Sequence, residues 1–183
     1  MRFSHLLAAV VATFALSTVT AKSADWTGFY AGVMGGFSSV NNSECSDCTV
    51  GATNIAKVVG YNWDSGSTVF GIEEWVVSSV VSEWSEDPAN YTKLTWQKLA
   101  RFGWEIGDSA LLYAAAGGGL QMFWFEGGYE GAALFGAVAG GAEFLVSDQI
   151  SLRGHVQLSY APDVEGVAYT ATSIAAGVIF HFN

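Results

Sequence analysis

The stretch from Ile150 to Tyr160 constrains the fold of this chain more than any other, because its side chains alternate between two chemical sets without a break. One set is apolar or small: Ile150, Leu152, Gly154, Val156, Leu158 and Tyr160. The other set is polar: Ser151, Arg153, His155, Gln157 and Ser159. Successive residues of a β-strand point to opposite sides, so the pattern predicts one strand with an apolar face and a hydrogen-bonding face. Its eleven residues exceed the length of about 5–6 that is common in soluble domains and match a tilted strand that crosses a membrane.

The N-terminus has the features of a secretory signal peptide. Arg2 gives a basic start, residues 6–16 form an apolar core, and small residues at 19–21 fit a cleavage site. We predict cleavage after Ala21, with Ala24 as the alternative position, so that residues 22–183 form one mature domain. The apolar core is shorter than the roughly 20 residues that a membrane-spanning helix needs, which disfavours an uncleaved anchor.

The composition of the chain limits the classes of function. The formal net charge is −10 and becomes more negative when Arg2 is removed with the signal, so binding of nucleic acid by a basic patch is not expected. The chain is 51% hydrophobic and contains 22 glycines, yet no mature segment has the roughly 18 uninterrupted apolar residues of a membrane-spanning helix. Only helices and closed barrels satisfy their backbone groups in lipid, so this composition indicates an outer-membrane β-barrel.

The rest of the chain repeats the extended pattern. We predict eight strands, at Trp26–Ser39, Ile55–Trp63, Thr68–Ser79, Lys93–Ile106, Ala110–Glu126, Ala132–Leu145, Ile150–Tyr160 and Ala168–Phe182. Three short turns lie between them, at 64–67, 107–109 and 147–149. Four longer polar stretches alternate with these turns, at 41–54, 82–90, 127–130 and 161–166. Short turns at one end and variable loops at the other are typical of outer-membrane barrels, so the predicted fold is all-β, an eight-stranded antiparallel up-and-down transmembrane β-barrel.

Several short motifs make the mature chain resemble a known family. They are Trp26-Thr27-Gly28-Phe29-Tyr30-Ala31-Gly32, Gly60-Tyr61-Asn62-Trp63, Phe70-Gly71-Ile72-Glu73, Gly141-Ala142-Glu143-Phe144 before Ser147-Asp148, and Gly177–Phe182. In this order and spacing they resemble the small eight-stranded barrels of Gram-negative bacteria, the OmpA-type, porin-like surface antigens. The resemblance implies a non-enzymatic, surface-exposed envelope protein in contact with outer-membrane lipid and lipopolysaccharide.

The same resemblance implies that the barrel-assembly machinery reads the last strand. Its expected signal consists of Gly177, Phe180 and Phe182. The chain departs from the family pattern at two points, because Asn183 follows the usual terminal Phe and Ala175 stands where a polar residue is common.

The family orientation places one set of residues inside the barrel: Glu73, Arg101, Gly103, Gln121, Glu143, Arg153, His155 and His181. Glu73 and Arg101 lie at equal distances from their turn, so we expect them to pair, and Glu143 and Arg153 flank the last turn as a second pair. Eight strands leave an interior just wide enough for side chains to fill, and buried charges there must be paired. We interpret the interior as a packed polar lumen, with a narrow water path, and hence a small diffusion pore, as the alternative.

An enzymatic function is not expected, and neither a metal site nor a cofactor is predicted. His155 with Ser151 or Ser159 is the Ser/His candidate within one strand, and no carboxylate is obviously placed behind it. A lipid-modifying barrel is therefore a weaker alternative. Heme capture is another, weakened because neither mature histidine, His155 or His181, falls in a predicted outer loop.

The predicted outer loops carry two further features. Cys45 and Cys48 have CxxC spacing, and in an oxidising compartment we expect a disulfide between them, with free or interchain thiols and a redox or metal-binding role as alternatives. Acidic side chains recur in all four loops: Glu44, Asp47, Glu83, Glu86, Asp87, Glu126, Glu130, Asp163 and Glu165. They serve either solvation alone or the bridging of divalent cations to anionic lipopolysaccharide, since hard cations prefer carboxylate oxygens.

Two expectations concern the outward face. Five tryptophans are expected near the membrane interfaces as an aromatic girdle: Trp26, Trp63, Trp96, Trp104 and Trp124. Lys98 and Glu74 are charged at outward positions, and Lys98 is close enough to the outer end to snorkel. A β-bulge at Glu73-Glu74 would re-aim one of these carboxylates, and a position of this strand nearer the outer rim is the alternative.

Overall fold

A computed structural model describes residues 25–43, 49–82, 91–125, 130–164 and 167–182 of the chain. Nearly all of these residues belong to eight β-strands: β1 (Gly28–Asn42), β2 (Thr49–Asp64), β3 (Thr68–Ser82), β4 (Tyr91–Ile106), β5 (Ala110–Phe125), β6 (Glu130–Leu145), β7 (Ile150–Val164) and β8 (Val167–His181). Each strand pairs antiparallel with the next, and β1 pairs with β8 to close the sheet. The predicted eight-stranded antiparallel barrel is confirmed. Within the described ranges, no helix is long and apolar enough to cross a membrane.

The register of the barrel can be followed through all eight strands. We start at Ala31 and step from each residue to its partner on the next strand. The residues reached in this way are, in order, Val59, Glu74, Lys98, Gly118, Gly136, Tyr160 and Thr170. The partner of Thr170 is Asn41, so one circuit of the barrel returns to β1 ten residues from Ala31. With a strand spacing of about 4.8 Å and a rise of about 3.3 Å per residue, this stagger tilts the strands by roughly 40°.

Three short connections lie at one end of the barrel, which we name the turn end. They join Asp64 to Thr68, Ile106 to Ala110 and Leu145 to Ile150, and all of these strand ends agree with the sequence prediction to within one residue. Gly66 and Gly107 have φ values of 91° and 62°, which only glycine adopts readily. The positions of these turns could therefore be predicted from the sequence. The opposite end is the loop end. In outer-membrane barrels the turn end faces the periplasm and the loop end faces outward.

Several predicted strand boundaries at the loop end were wrong, whereas the end of β5 and the start of β8 agree to within one residue. The stretch 41–54 is not a loop throughout, because β1 continues to Asn42 and β2 begins at Thr49. Similarly, β7 continues beyond Tyr160 to Val164, with an irregular register after Ala161. Polar side chains made these residues resemble loops, but backbone pairing does not require an apolar side chain. The Thr49 hydroxyl even donates a hydrogen bond to a side chain of the opposite strand at 2.6 Å.

The outward face of the barrel is an apolar belt. Its exposed side chains include Phe29, Val33, Ile55, Val59, Ile72, Phe102, Leu112, Val138, Leu152, Val156, Ile174 and Val178. Trp63, Trp96 and Trp104 also point outward, as predicted, and the side chain of Trp124 lies outside the described residues. The prediction for Trp26 was wrong, because this side chain is buried inside the barrel mouth. A closed barrel with so apolar an exterior is built for contact with hydrocarbon.

Three charged side chains interrupt this belt within the part of the chain that the structure describes. Glu74 and Lys98 are direct cross-strand partners, and their charged groups are 3.6 Å apart. The pairing of β3 with both neighbours is continuous through Glu73 and Glu74, so the predicted β-bulge is wrong and Glu74 points outward by simple alternation. Lys57 on β2 is the third exposed charge, and the sequence analysis did not single it out although it alternates with Ile55 and Val59.

Candidate functional site in the barrel lumen

Four charged side chains meet in the lumen, each from a different strand: Glu73 of β3, Arg101 of β4, Glu143 of β6 and Arg153 of β7. Glu143 and Arg153 are direct partners in the β6–β7 ladder. Arg101 stands opposite Gly71, two residues before Glu73. A Cβ atom at position 71 would lie 3.0 Å from Cγ of Arg101, so the glycine leaves the space through which this side chain turns toward Glu73.

The two pairs expected from the sequence lie together as one cluster, which we name the ion cluster. Arg101 Nη1 is 3.7 Å from Glu73 Oε2, and Arg153 Nη2 is 2.7 Å from Glu143 Oε2. The cross contacts are equally short, with Arg153 Nη1 2.9 Å from Glu73 Oε2 and Arg101 Nη2 3.2 Å from Glu143 Oε2. All four side chains are 0% exposed and their formal charges cancel. Each charge therefore faces two of opposite sign, the condition under which burial of ions is tolerated.

Two aromatic residues complete the surroundings of Glu73, and the sequence analysis missed both. The Tyr30 hydroxyl donates a hydrogen bond to Oε2 at 2.8 Å, and Trp75 Nε1 donates one to Oε1 at 2.9 Å. The Tyr30 ring also lies 5.0 Å from the guanidinium carbon of Arg153. The available signal was Gly60, the direct cross-strand partner of Tyr30, where a Cβ atom would come within 2.4 Å of the tyrosine ring.

Glu143 has its own polar partners on the side of the turn end. Ser151 Oγ donates to Glu143 Oε1 at 2.6 Å, and His181 Nε2 lies 3.0 Å from the same oxygen and 3.0 Å from Ser151 Oγ. Ser151 thus bonds to His181 and not to His155, the partner considered from the sequence. A hydrolytic triad needs the serine and the acid on different nitrogens of the histidine, and it needs substrate access. Here one nitrogen faces both groups, and all three side chains are buried.

The lumen is closed at the turn end by Trp26. Its side chain is 1% exposed and packs with Val69 and Leu111, and its ring meets that of His181 edge to face with centroids 5.6 Å apart. The backbone N–H of Trp26 donates to Asp64 Oδ2 at 3.2 Å. The segment before β1 therefore turns into the barrel mouth, which is why this tryptophan does not reach the membrane interface.

Toward the loop end, an aromatic layer and then an amide pair cover the ion cluster. The rings of Trp75 and His155 are tilted by 33° to each other with centroids 4.5 Å apart, and Tyr113 Oη is 2.9 Å from His155 Nδ1. The other ring nitrogen, Nε2, lies 3.4 Å from Gln157 Oε1. Gln157 and Gln97 exchange two hydrogen bonds of 2.9 and 3.1 Å across the lumen. The histidine is thus held by neutral groups on both sides.

Beyond the amide pair the lumen opens into a cavity of about 50 Å³. The described residues that line it are neutral, and its hydrogen-bonding groups come from Ser38, Asn54, Ser79, Thr95, Gln97, Gln121, Gln157, Ser159 and Ser173. Gln121 therefore belongs to this cavity and not to the ion cluster. Asn54 Oδ1 is buried here and has no hydrogen-bond partner within the described part of the chain.

The remaining residues singled out from the sequence lie away from this site. Gly177 is an inward position of β8, and Phe180 and Phe182 point outward near the turn end with their ring centroids 4.9 Å apart. Their role in assembly stays a prediction. Cys45 and Cys48 lie outside the described residues, so their expected disulfide stays a prediction as well.

Comparisons with known proteins extend this description of the fold. No protein-family model matches the sequence, and no curated protein matches it either. Among solved structures, Neisserial surface protein A (NspA) is similar with a TM-score of 0.68 and 15% identity, over 85% of this chain and 98% of that chain. Ail, the attachment invasion locus protein of Yersinia pestis, has a TM-score of 0.49 at 16% identity, over 84% of this chain and 99% of that chain. OprG from Pseudomonas aeruginosa has a TM-score of 0.49 at 10% identity, over 87% of this chain and 98% of that chain. The likeness to NspA is one of fold, and it agrees with the closed eight-stranded barrel and its apolar outer belt.

Proposed function

We propose that the protein is a non-enzymatic, surface-exposed structural barrel of the outer membrane whose lumen does not conduct solutes. The observation that carries this proposal is the ion cluster. Four charged side chains with no exposed surface meet across the barrel from β3, β4, β6 and β7. Removing one partner of such a buried pair costs about 3–5 kcal/mol, so the barrier is not opened by thermal motion of a single side chain.

Further layers stand in series with the ion cluster. Trp26 covers it on the side of the turn end, and the aromatic layer and the pair Gln97–Gln157 cover it on the other side. The rival function, a small diffusion pore, is favoured by the polar cavity at the loop end, which is suited to hold water. That cavity has the amide pair as its floor, so we expect water to enter from one end without passing through.

Electrical recording in planar bilayers tests the proposal directly. We expect no steady conductance from the wild-type barrel. Glu143→Ala/Arg153→Ala removes one acid and one base, leaves the net charge unchanged and weakens one of the layers in series, so we expect only rare, brief channel steps from it, at moments when the remaining layers fluctuate. Val156→Ala, on the lipid-facing side of β7, is the matched control and should remain silent. Steady wild-type conductance would overturn the closed lumen and establish the pore.

The absence of enzymatic activity is part of the same proposal. The Ser151, His181 and Glu143 side chains that come closest to a catalytic set are buried, and their hydrogen bonds use one histidine nitrogen for both partners. Neither His155 nor His181 is exposed to receive an extracellular heme. Mass spectrometry of lipid A from cells with and without the protein checks the weaker alternative of a lipid-modifying barrel, and a mass difference that persists in Ser151→Ala would place the activity elsewhere.

We further propose two partners in the envelope. The acidic residues of the outer loops would bridge divalent cations to lipopolysaccharide, so a chelator should lower the thermal stability of the protein in outer-membrane vesicles, and unchanged stability would count against bridging.

The barrel-assembly machinery would recognise the last strand through Gly177, Phe180 and Phe182. A Phe180→Ala/Phe182→Ala variant should accumulate unfolded in the periplasm, whereas Phe29→Ala, which removes an even more exposed aromatic ring on β1, should assemble.

A further inference from the structure

Three charged side chains on the lipid-facing surface form what we name the outer charge patch: Lys57, Glu74 and Lys98. Glu74 and Lys98 pair with each other at 3.6 Å. Lys57 is exposed and forms neither an ion pair nor a hydrogen bond with any residue that the structure describes. Its direct cross-strand neighbours are Val33 and Val76, which are both apolar and exposed. The patch therefore contains one cation whose counter-charge is not supplied by the described part of the chain.

Lys57 and Glu74 lie at nearly the same depth in the membrane. The direct partner of Glu74 on β2 is Val59, and Lys57 is two residues nearer the loop end. At a tilt of roughly 40°, two residues rise about 5 Å along the barrel axis, and the line of partners falls about 3 Å from β3 to β2. The two charges thus differ in depth by about 2 Å and lie roughly 8 Å apart around the barrel.

This depth is well inside the apolar belt. Lys57 lies eight residues from the loop end of β2 and seven from its turn end, and the exposed residues Ile55 and Val59 flank it on the same face. A lysine that faces hydrocarbon is costly, and snorkelling reduces this cost only when the amine can reach the interface. A carboxylate from a neighbouring molecule at the same depth would remove the cost.

We propose that the outward face of β2 and β3 is the interface of a homodimer. Copies of the chain insert in one orientation, so the two-fold axis of a dimer runs along the membrane normal and preserves depth. An axis between Lys57 and Glu74 places each Lys57 against Glu74 of the partner subunit, which gives two reciprocal ion pairs. Around these pairs the exposed side chains of Ile55, Ile72 and Val76 of each copy would pack against the same set.

The charges favour a second copy over a lipid phosphate. A phosphate group near Lys57 would also face Glu74, which repels it, whereas a copy of the patch offers an acid for the lysine and a lysine for the acid. The patch is self-complementary because Lys57 and Glu74 are opposite in sign and nearly equal in depth. A phosphate of a lipid headgroup would, in addition, lie at the membrane surface, and Lys57 lies near the middle of its strand.

Charge reversal with mixing tests the interface. The stoichiometry of labelled protein in lipid bilayers is measured by single-molecule photobleaching, where we expect wild-type dimers. Lys57→Glu places acid against acid across the axis. Glu74→Lys/Lys98→Glu keeps the ion pair within the chain and the net charge, and places base against base. Each variant alone should be monomeric, and their mixture should form heterodimers, because both contacts across the axis then join an acid to a base.

The dimer fraction of the mixture should exceed that of either variant by roughly tenfold, which two polar pairs of modest strength provide together. Val156→Lys, which adds a charge to the lipid-facing side of β7, is the control for effects of insertion alone and should leave the dimer intact. Heat-modifiable migration verifies the fold of each variant, and Lys57→Gln replaces any variant that fails this check. Wild-type monomers, dimers in each variant alone, no gain on mixing, or dimers that require added lipopolysaccharide would each overturn the proposal.

Discussion

Replacement of Glu143 by glutamine removes one of the two negative charges of the ion cluster with almost no change in shape. Arg101 and Arg153 then share Glu73 as their remaining carboxylate, so the buried cluster carries an uncompensated positive charge. The described side chains that surround the ion cluster are all buried, so water does not reach this charge to screen it. We therefore expect the free energy of unfolding to fall sharply while the barrel keeps its fold.

The magnitude follows from the contacts of Glu143. Its carboxylate faces Arg153 at 2.7 Å and Arg101 at 3.2 Å, and it accepts a hydrogen bond from Ser151 at 2.6 Å. Breaking a buried ion pair by removing one partner costs about 3–5 kcal/mol, whereas removing both partners costs much less. We expect a loss of about 4 kcal/mol for Glu143→Gln and a similar loss for Arg153→Met. The double variant should lose about 2 kcal/mol, because its remaining charges balance again.

Reversible denaturant unfolding in lipid vesicles, followed by tryptophan fluorescence, measures these free energies. Gln121→Ala is the matched control, since this inward residue lines the cavity away from the ion cluster, and it should cost less than about 1 kcal/mol. A loss below about 1 kcal/mol for Glu143→Gln would refute the reasoning. A double variant whose loss equals the sum of the single losses would also refute it, because the two residues would then not interact.

Three further predictions concern the packing and orientation of the barrel. Gly60→Ala should lower the free energy of unfolding by about 1–3 kcal/mol, because its Cβ atom would come within 2.4 Å of the facing tyrosine ring, while Gly35→Ala, with no atom within 4 Å, should be nearly neutral in the same assay. Brominated lipids should quench the fluorescence of a variant that retains Trp63 as its single tryptophan and not that of a variant that retains Trp26, and equal quenching would contradict the buried position of Trp26. A spin label at Val156 should report hydrocarbon in reconstituted vesicles, and aqueous contact there would remove the basis of the whole orientation.

The fold could be predicted from the sequence because alternation and turn chemistry are local properties. The alternation in Ile150–Tyr160 can be recognised without knowing which strands pair with it. Gly66 and Gly107 mark turns because they adopt a conformation that other residues avoid. The strand ends at the loop end were not predictable in the same way. There, polar residues such as Thr49 interrupt the apolar alternation of the strand. Only the backbone ladder to the neighbouring strand shows that these residues are extended.

The sequence predicts which charged residues belong to the candidate site, but it does not predict how they contact one another across the lumen. Counting from the turns identifies inward positions for Glu73 and Arg101, but the contact between Arg101 and Glu143 joins β4 to β6 across the lumen. Such a contact depends on the stagger of the whole barrel, which no single strand encodes. Tyr30 was missed for a related reason, since its place beside Glu73 depends on space that a glycine of the adjacent strand leaves open.

The β3–β4 hairpin shows how cross-strand partners decide the environment of a charge. Glu73 and Glu74 are neighbours in sequence and point to opposite faces of the sheet. β4 supplies an ion-pair partner for each of them, Arg101 in the lumen and Lys98 on the outside. A slip of one residue between the strands would turn the charges to the wrong faces, and a slip of two would separate Glu74 from Lys98. The two ion pairs therefore specify one register from both faces of the sheet. The outward pair gives each charge a partner on the lipid-facing surface, and it also takes part in this constraint on pairing.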